Sequence, residues 1–378
     1  MKEDKRILFF TSPIGLGHAS RDIAIASLLK ESLTDDVEIT FVTSDQASRH
    51  IIEHGFKALN VYRAKSIDAD AKGYFRHRLR WLIDYMLYYK ECKVKASKVI
   101  DEYKPRLIIS DEDFASIAVA KSKGIKSVLV TDVFESRFLN GITSILEIIL
   151  NRALKRIIHS ADLVLVPMHG EDHGNVMYVG PIVREISKSR EKLREVFGFS
   201  DDEMIVTVSV GGTSSGKFLI DATLRAYSKI KDMYEGRSGK RLRLVIVSGP
   251  SLDYTLDHHY LDDHLIKDMR LYRYINNMHE LVYASDLLIS LAGRSTIDEA
   301  NAYHTPAIFI PIRNHFEQEG NAREHGFSHS DINRLDDLML KYLDASDYTL
   351  INSNNNGNIT KDGGKDKILR AVRTLMIR

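Results

Sequence analysis

Three glycine-bearing stretches of this sequence carry side chains suited to proton transfer and to anion binding. The first, Ser12-Pro13-Ile14-Gly15-Leu16-Gly17-His18-Ala19-Ser20-Arg21, follows an apolar run and opens a helical segment. Gly15 and Gly17 let backbone approach a ligand, and the helix start offers unbonded N–H groups and positive potential. His18 on that turn titrates near neutral pH and can take the proton of a hydroxyl. The plain alternative is a tight turn with a structural histidine. The second stretch, Val210-Gly211-Gly212-Thr213-Ser214-Ser215-Gly216-Lys217, repeats the theme. It lacks the four-residue spacer of a P-loop, which disfavours ATP hydrolysis, but its hydroxyls and helix dipole can hold a diphosphate without metal.

The third stretch runs Ser285-Asp286-Leu287-Leu288-Ile289-Ser290-Leu291-Ala292-Gly293-Arg294-Ser295-Thr296-Ile297-Asp298-Glu299-Ala300. It reads as strand, glycine turn and helix, with Glu299 about one turn in, placed to accept hydrogen bonds from a diol. Asn314-His315-Phe316-Glu317-Gln318-Glu319-Gly320-Asn321-Ala322 then gives a polar helix start able to meet further hydroxyls.

These stretches need strands to end on. Apolar runs at Ile7 to Thr11, Val37 to Val42, Leu107 to Ser110, Ser127 to Val130 and Leu163 to Val166 alternate with helix-length segments, the pattern of a doubly wound parallel sheet. Met204 to Ser209, Leu242 to Ser248, Arg270 to Tyr272, Leu287 to Ser290 and Ala307 to Pro311 form a second set. A chain of 378 residues also exceeds what one core usually serves. The fold class expected is therefore α/β with two Rossmann-like domains, residues 1–180 and 181–350, facing across a cleft. The turn Val179-Gly180-Pro181-Ile182-Val183-Arg184 is the hinge, and residues 351–378 are a flexible loop (Asn352 to Gly364) and a closing helix (Asp366 to Met376). Ligands of open α/β sheets bind beyond the carboxyl ends of the strands, where all three glycine stretches fall.

At these residues the chain resembles the GT-B superfamily of glycosyltransferases. Within it, the chain is similar to the bacterial transferase that adds N-acetylglucosamine to lipid-linked muramyl pentapeptide, and to the archaeal and eukaryotic enzymes that add it to a dolichol-pyrophosphate sugar. The likeness runs from Ile7 to about Phe327 and is most specific at Gly293 to Glu299 and at Glu317-Gln318-x-x-Asn321-Ala322. It implies an inverting, metal-independent transfer from a UDP-sugar, with no further cofactor. Gly211, Gly212, Thr213 and Ser214 would meet the diphosphate, with Arg184 also on the donor side, and the Ile275 backbone would read the uracil. Gly293, Arg294, Ser295 and Thr296 would line the phosphates, and Glu299 would bind ribose. Glu317, Gln318 and Asn321 would meet the sugar, with Glu317-Gln318 standing where the bacterial enzyme has two glutamines. Gly15, Gly17, Arg21 and Asp111 would face the acceptor beside His18.

Glu112, in Ser110-Asp111-Glu112-Asp113 after a strand, is the candidate general base, and archaeal relatives carry an acidic residue in this region. The same acids also fit two other readings. Asp111-x-Asp113 spells a metal-binding pair used by transferases of a different fold, and an acid before Phe114 is a helix cap.

Net charge of +1, from 53 Lys+Arg against 52 Asp+Glu, provides no field to recruit nucleic acid. A single cysteine, Cys92, rules out an internal disulfide and suits a reducing compartment. No signal peptide is seen, and no apolar run approaches the roughly 18 to 20 residues that span a bilayer. A cytoplasmic protein is expected, held peripherally at the membrane by two segments. Tyr74 to Cys92 and Phe134 to Arg156 combine apolar faces with flanking Arg and Lys. The alternative for both is packing into the core or a dimer interface. Rival functions are a UDP-N-acetylglucosamine 2-epimerase and a silent nucleotide-sugar-binding scaffold subunit.

Overall fold

The computed structural model describes residues 5–33, 37–63, 67, 69–255, 263–344 and 363–377. Strands β1 (Lys5–Thr11), β2 (Val37–Thr43), β3 (Lys57–Asn60), β4 (Leu107–Asp111), β5 (Lys126–Val130), β6 (Leu163–Val166) and β7 (Val176–Tyr178) form one parallel sheet in the order β3-β2-β1-β4-β5-β6-β7. Strands β8 (Glu203–Ser209), β9 (Arg241–Val247), β10 (Met269–Tyr272), β11 (Leu287–Leu291) and β12 (Ala307–Ile310) form a second, in the order β10-β9-β8-β11-β12. Both sheets reverse direction of growth beside their first strand, so a switch point lies between β1 and β4 in one and between β8 and β11 in the other. The expected pair of doubly wound sheets is present. Strands β3 and β7 lie at edges and are short and partly exposed, so they carry no apolar run that would mark them in the sequence.

The strands read as unbroken apolar runs because helices cover both sheet faces. Ile7, Leu8, Phe9 and Phe10 are all buried, and Phe9 stacks on Phe41 of β2 at 4.9 Å between ring centroids. Helix ends follow local chemistry. Asp113 caps the helix Phe114–Lys123, its side chain accepting from Ser116 N at 2.8 Å, and Gly124 closes it in the left-handed region.

The chain forms two compact units, one of Met1–Lys65, His77–Val183 and Gly357–Arg378, the other of Ser66–Arg76 and Arg184–Asn356. Neither is a continuous stretch of sequence as anticipated. The helix Gly363–Ile377 belongs with the first sheet, where Ile368 and Val372 join the core built by Ile7, Phe9 and Leu29. Gly364 is required there, because a Cβ would stand 2.0 Å from Val179 O. The stretch anticipated as a loop, Asn352 to Gly364, lies outside the described residues except for Gly363 and Gly364, which start this helix.

We expect Ile368→Ala to cost the first unit about 2–4 kcal/mol in urea unfolding through the cavity it leaves. Ile377→Ala, on the same helix but 83% exposed, should change stability by less than about 0.5 kcal/mol.

Candidate functional site

In the first unit, β1 and β4 run in register so that Thr11 pairs with Asp111, and the side chains beyond these strand ends converge. Asp111 has no exposed surface. The helix Gly17–Ser32 places His18 and Arg21 three residues apart on one face, and both reach that carboxylate. Arg21 donates from Nε to Asp111 Oδ2 at 2.7 Å and from Nη2 to Oδ1 at 2.6 Å, while His18 Nδ1 lies 2.9 Å from Oδ1. Arg21 Nη1 is 3.6 Å from Asp132 Oδ1.

Burial alone would raise the Asp111 carboxyl, but the charges of Arg21 and His18 hold it well below the usual carboxylate range. Burial works against a charge on His18. Asp111, through its charge and hydrogen bond, and then Glu112 outweigh burial and push the imidazole up to about 9. His18 is therefore an imidazolium at neutral pH, 22% exposed, with Nε2 3.8 Å from Glu112 Oε2. Beneath this cluster Thr11 donates to Asp22 at 2.6 Å, and burial followed by the Asp111 charge pushes the Asp22 carboxyl well up.

Glu112 sits at φ +52°, a left-handed conformation costing about 1 kcal/mol or more in a non-glycine residue. Its N–H donates to Val130 O at 3.2 Å, and Oε1 accepts from Thr131 Oγ1 at 3.2 Å. Asp113 is the helix cap described above, and Asp111 is committed to Arg21 and His18. The Asp111-x-Asp113 pair thus serves two separate structural partners. Among the described residues, no group of three His, Cys, Asp or Glu is arranged to hold a metal.

In the second unit, Gly211 turns the chain at φ +71° and Thr213 precedes the short turn Ser214–Gly216 and the helix Lys217–Ser238. The turn is tightly built: a Cβ on Gly249 would stand 2.0 Å from Gly211 O, and one on Gly216 would stand 2.1 Å from Val210 Cβ. Lys217 points to Asp221 at 2.7 Å. Past β11, Gly293 starts the helix Arg294–Ala302 with no side-chain cap, which leaves the first-turn N–H groups of Arg294, Ser295 and Thr296 available. Arg294 itself is drawn to Asp298, at 3.1 Å, and Glu324, at 3.4 Å.

Glu299 is buried and its Oε1 accepts from Arg184 Nε at 3.0 Å and Nη2 at 2.9 Å. Arg184 Nη1 is buried with no hydrogen-bond partner among the described residues. Tyr303 Oη donates to Arg184 O at 2.7 Å, fixing that backbone.

Past β12, Gln318 Oε1 accepts from Ile312 N at 3.0 Å and Glu319 Oε1 from Asn314 N at 3.0 Å. His315 caps the helix Phe316–Glu324 by accepting from Gln318 N at 3.4 Å, and burial pushes its imidazole down to about 4, which keeps it neutral for that role. Asn321 donates to Ala292 O at 3.2 Å and so ties this helix to the turn after β11. Glu317 opens the same helix, and Ile275 packs partly buried against Leu193, Ile205 and Leu281.

The structure therefore gathers His18, Arg21, Asp111 and Glu112 in the first unit. Around the switch point of the second it gathers Gly211 to Ser214, Gly293 to Thr296, Arg184 with Glu299, and the Glu317 to Asn321 helix start. Asp132, Thr131 and Asp22 escaped sequence reasoning. Thr131 and Asp132 directly follow β5, so their position at a strand end was the available signal.

One seven-stranded and one five-stranded parallel sheet, each with glycine turns past its strand ends, give the chain the GT-B fold. Residues 205–341 match the glycosyltransferase family 28 C-terminal domain, and the chain is a glycosyltransferase carrying that domain. An uncharacterized glycosyltransferase of Methanopyrus kandleri is 26% identical over 242 residues, 60% of this chain and 62% of the relative. The UDP-N-acetylglucosamine--N-acetylmuramyl-(pentapeptide) pyrophosphoryl-undecaprenol N-acetylglucosamine transferase of Caldanaerobacter subterraneus is 27% identical over 335 residues, 84% of this chain and 83% of the relative. Among solved structures, a ugt transferase from Siraitia grosvenorii in complex with UDP superposes with a TM-score of 0.63 at 14% identity, covering 99% of this chain and all of that one.

The raised pKa of His18 has a sign that stability measurements can read. A group whose pKa is higher when folded contributes stability that is fully present below its unfolded value, near 6.5, and lost as pH rises toward about 9. Urea unfolding should show that the stability gap between wild type and His18→Gln narrows between pH 6.5 and 9.

Proposed function

We propose that the enzyme transfers N-acetylglucosamine, or a related hexose, from its UDP donor to a lipid-linked acceptor, inverting the anomeric carbon and using no metal. The observation that carries this reading is the Arg184–Glu299 pair beside the uncapped helix start at Gly293. Glu299 Oε2 receives no hydrogen bond from the described residues and suits a ribose diol, and the orphaned Arg184 Nη1 is a donor that a ligand oxygen can satisfy. The N–H groups after Gly293 and the turn at Gly211 to Ser214 suit the charge that builds on a departing diphosphate.

In the transfer, the acceptor hydroxyl oxygen bonds to the anomeric carbon while the bond from that carbon to the β-phosphate oxygen breaks. UDP departs with the electron pair. Glu112 takes the hydroxyl proton. His18 is already protonated and so does not compete as the base. Its imidazolium, held by Asp111, places positive charge 3.8 Å from the carboxylate that must accept. The left-handed backbone at Glu112 is the kind of strain that persists where a side chain is held for function.

A lipid acceptor is supported by an inverted helix in the first unit. In Ser144–Ser160 the charged Glu147 is buried, accepting from Phe138 N at 2.7 Å and Leu139 N at 2.9 Å, while Ile145, Ile148 and Ile149 are exposed and Ile142, just before the helix, is 88% exposed. Trp81 packs on Phe138 at 5.2 Å and links this face to the helix Arg78–Tyr103, where Leu79, Ile83 and Leu87 are also exposed. Leu82, Tyr88 and Cys92 of that helix pack inward instead, so each segment divides between core and surface. Exposed Arg80, Lys90, Arg152 and Arg156 near these residues suit an anionic bilayer. Among the described residues no helix is long and apolar enough to cross a membrane. Contact with the cytoplasmic face would be peripheral.

The test is UDP release from a panel of UDP-sugars, with and without a polyprenyl-pyrophosphate-sugar acceptor in anionic vesicles. Release is expected from one donor, only with acceptor, unaffected by EDTA, and reduced about 10²- to 10⁴-fold in kcat by Glu112→Gln. Ile145→Asp with Ile149→Asp should lower co-sedimentation with the vesicles. Absence of release with every lipid acceptor contradicts the proposal, and conversion of donor alone to an epimer replaces it with isomerisation.

A further inference from the structure

Segment Ser66–Arg76 follows β3 and precedes the helix Arg78–Tyr103, both elements of the first unit, yet it is built into the second. Its contacts fall on the glycine-rich turn that the proposed donor reading assigns to the diphosphate, and on the loop after β12 that leads into the helix start where the resemblance places the sugar. On the glycine-rich turn, the buried Ser215 hydroxyl donates to Ile67 O and accepts from Ala69 N at 3.2 Å. On the loop after β12, Arg313 N donates to Gly73 O at 2.8 Å and Phe75 N donates to Arg313 O at 2.9 Å, a single parallel bridge that adds the segment beside this loop.

Side chains fasten the same points. Arg313 lies over the Tyr74 ring at 5.0 Å and donates to its hydroxyl at 3.1 Å. Phe75, 2% exposed, lies 6.3 Å from the His315 ring, the neutral cap on which the Gln318 helix start depends. Gly73, at φ +75°, seats directly on Phe218, and a Cβ there would stand 2.7 Å from that ring. Asp70 holds the segment's own turn, accepting from Tyr74 N at 3.0 Å and Arg76 Nε at 2.5 Å.

We propose that this strap is a positioning element for the nucleotide-sugar: it fixes the spacing between the diphosphate turn at Gly211 to Gly216 and the sugar-facing loop at Arg313 to Gln318. Both loops are irregular backbone, and the strap bonds to each of them. The strap touches no reacting atom. Its effect therefore appears in donor binding and not in the chemical step.

This inference rests on the donor reading above, and the experiment separates the two. UDP binding by calorimetry and initial rates are measured on the full chain for wild type, Gly73→Ala and Ser215→Ala, with Lys72→Ala as an exposed control on the strap. The Kd for UDP and the KM for the donor should rise about tenfold both in Gly73→Ala, on the strap, and in Ser215→Ala, which removes the hydroxyl the strap bonds to, with kcat at saturating donor and the acceptor KM within about twofold of wild type and unchanged Lys72→Ala behaviour. Unchanged UDP affinity in folded Ser215→Ala overturns the proposal even if Gly73→Ala fails to fold. A kcat loss with donor KM unchanged also overturns it. Wild type that binds no UDP overturns the donor reading itself.

Discussion

A carboxylate with no exposed surface is stable only with positive charge against it, and Asp111 obtains that charge from two residues of one helix. Removing one partner of such a buried pair typically costs about 3–5 kcal/mol, because the other is left uncompensated. The requirement fixes several features together. The helix Gly17–Ser32 must begin within a short loop of β1 for His18 and Arg21 to reach β4. Its start is left without a side-chain cap, and the loop before it turns at Gly15 with φ +78°. The same charge then sets His18 as an imidazolium beside Glu112, so the chemistry assigned to each side chain follows from one electrostatic constraint.

The second unit solves a related problem with backbone. On the proposed reading a departing diphosphate needs positive potential beside it, and the two nearest cations are already engaged, Lys217 with Asp221 and Arg294 with Asp298. Uncapped N–H groups at a helix start and a glycine turn are a further source of positive potential, and they cost no desolvation of a buried ammonium. The buried Arg184–Glu299 pair couples a cation to the carboxylate suited to a diol, which leaves one donor unsatisfied where a ligand oxygen can complete it.

The central strands were legible because burial on both faces forces continuous apolar runs, as in Ile7 to Phe10 and Leu287 to Leu291. Edge strands β3 and β7 have no such requirement and left no signal. Glycine turns were readable from their position after strands. Partner choice was not: Glu112 was singled out as the base among three adjacent acids, but their partners could not be read, and only the fold separates a clamped carboxylate, a strained one and a helix cap. Likewise Glu147 interrupts an apolar segment in the sequence, and the fold turns it inward onto two backbone N–H groups while the isoleucines face out. The segment Ser66–Arg76 was invisible as a donor-side element because its contacts lie some 140 to 250 residues away in sequence, at Ser215 and Arg313.

The protonation state of His18 tests this account most directly, and it can be followed by nitrogen-15 NMR of labelled histidine across a pH titration of the intact protein. The His18 imidazole should stay doubly protonated through neutrality and titrate near 9, and Asp111→Asn should move it down toward 6.5. Titration of wild-type His18 at or below 6.5 would contradict the central role given to Asp111 and would return the base function to the histidine.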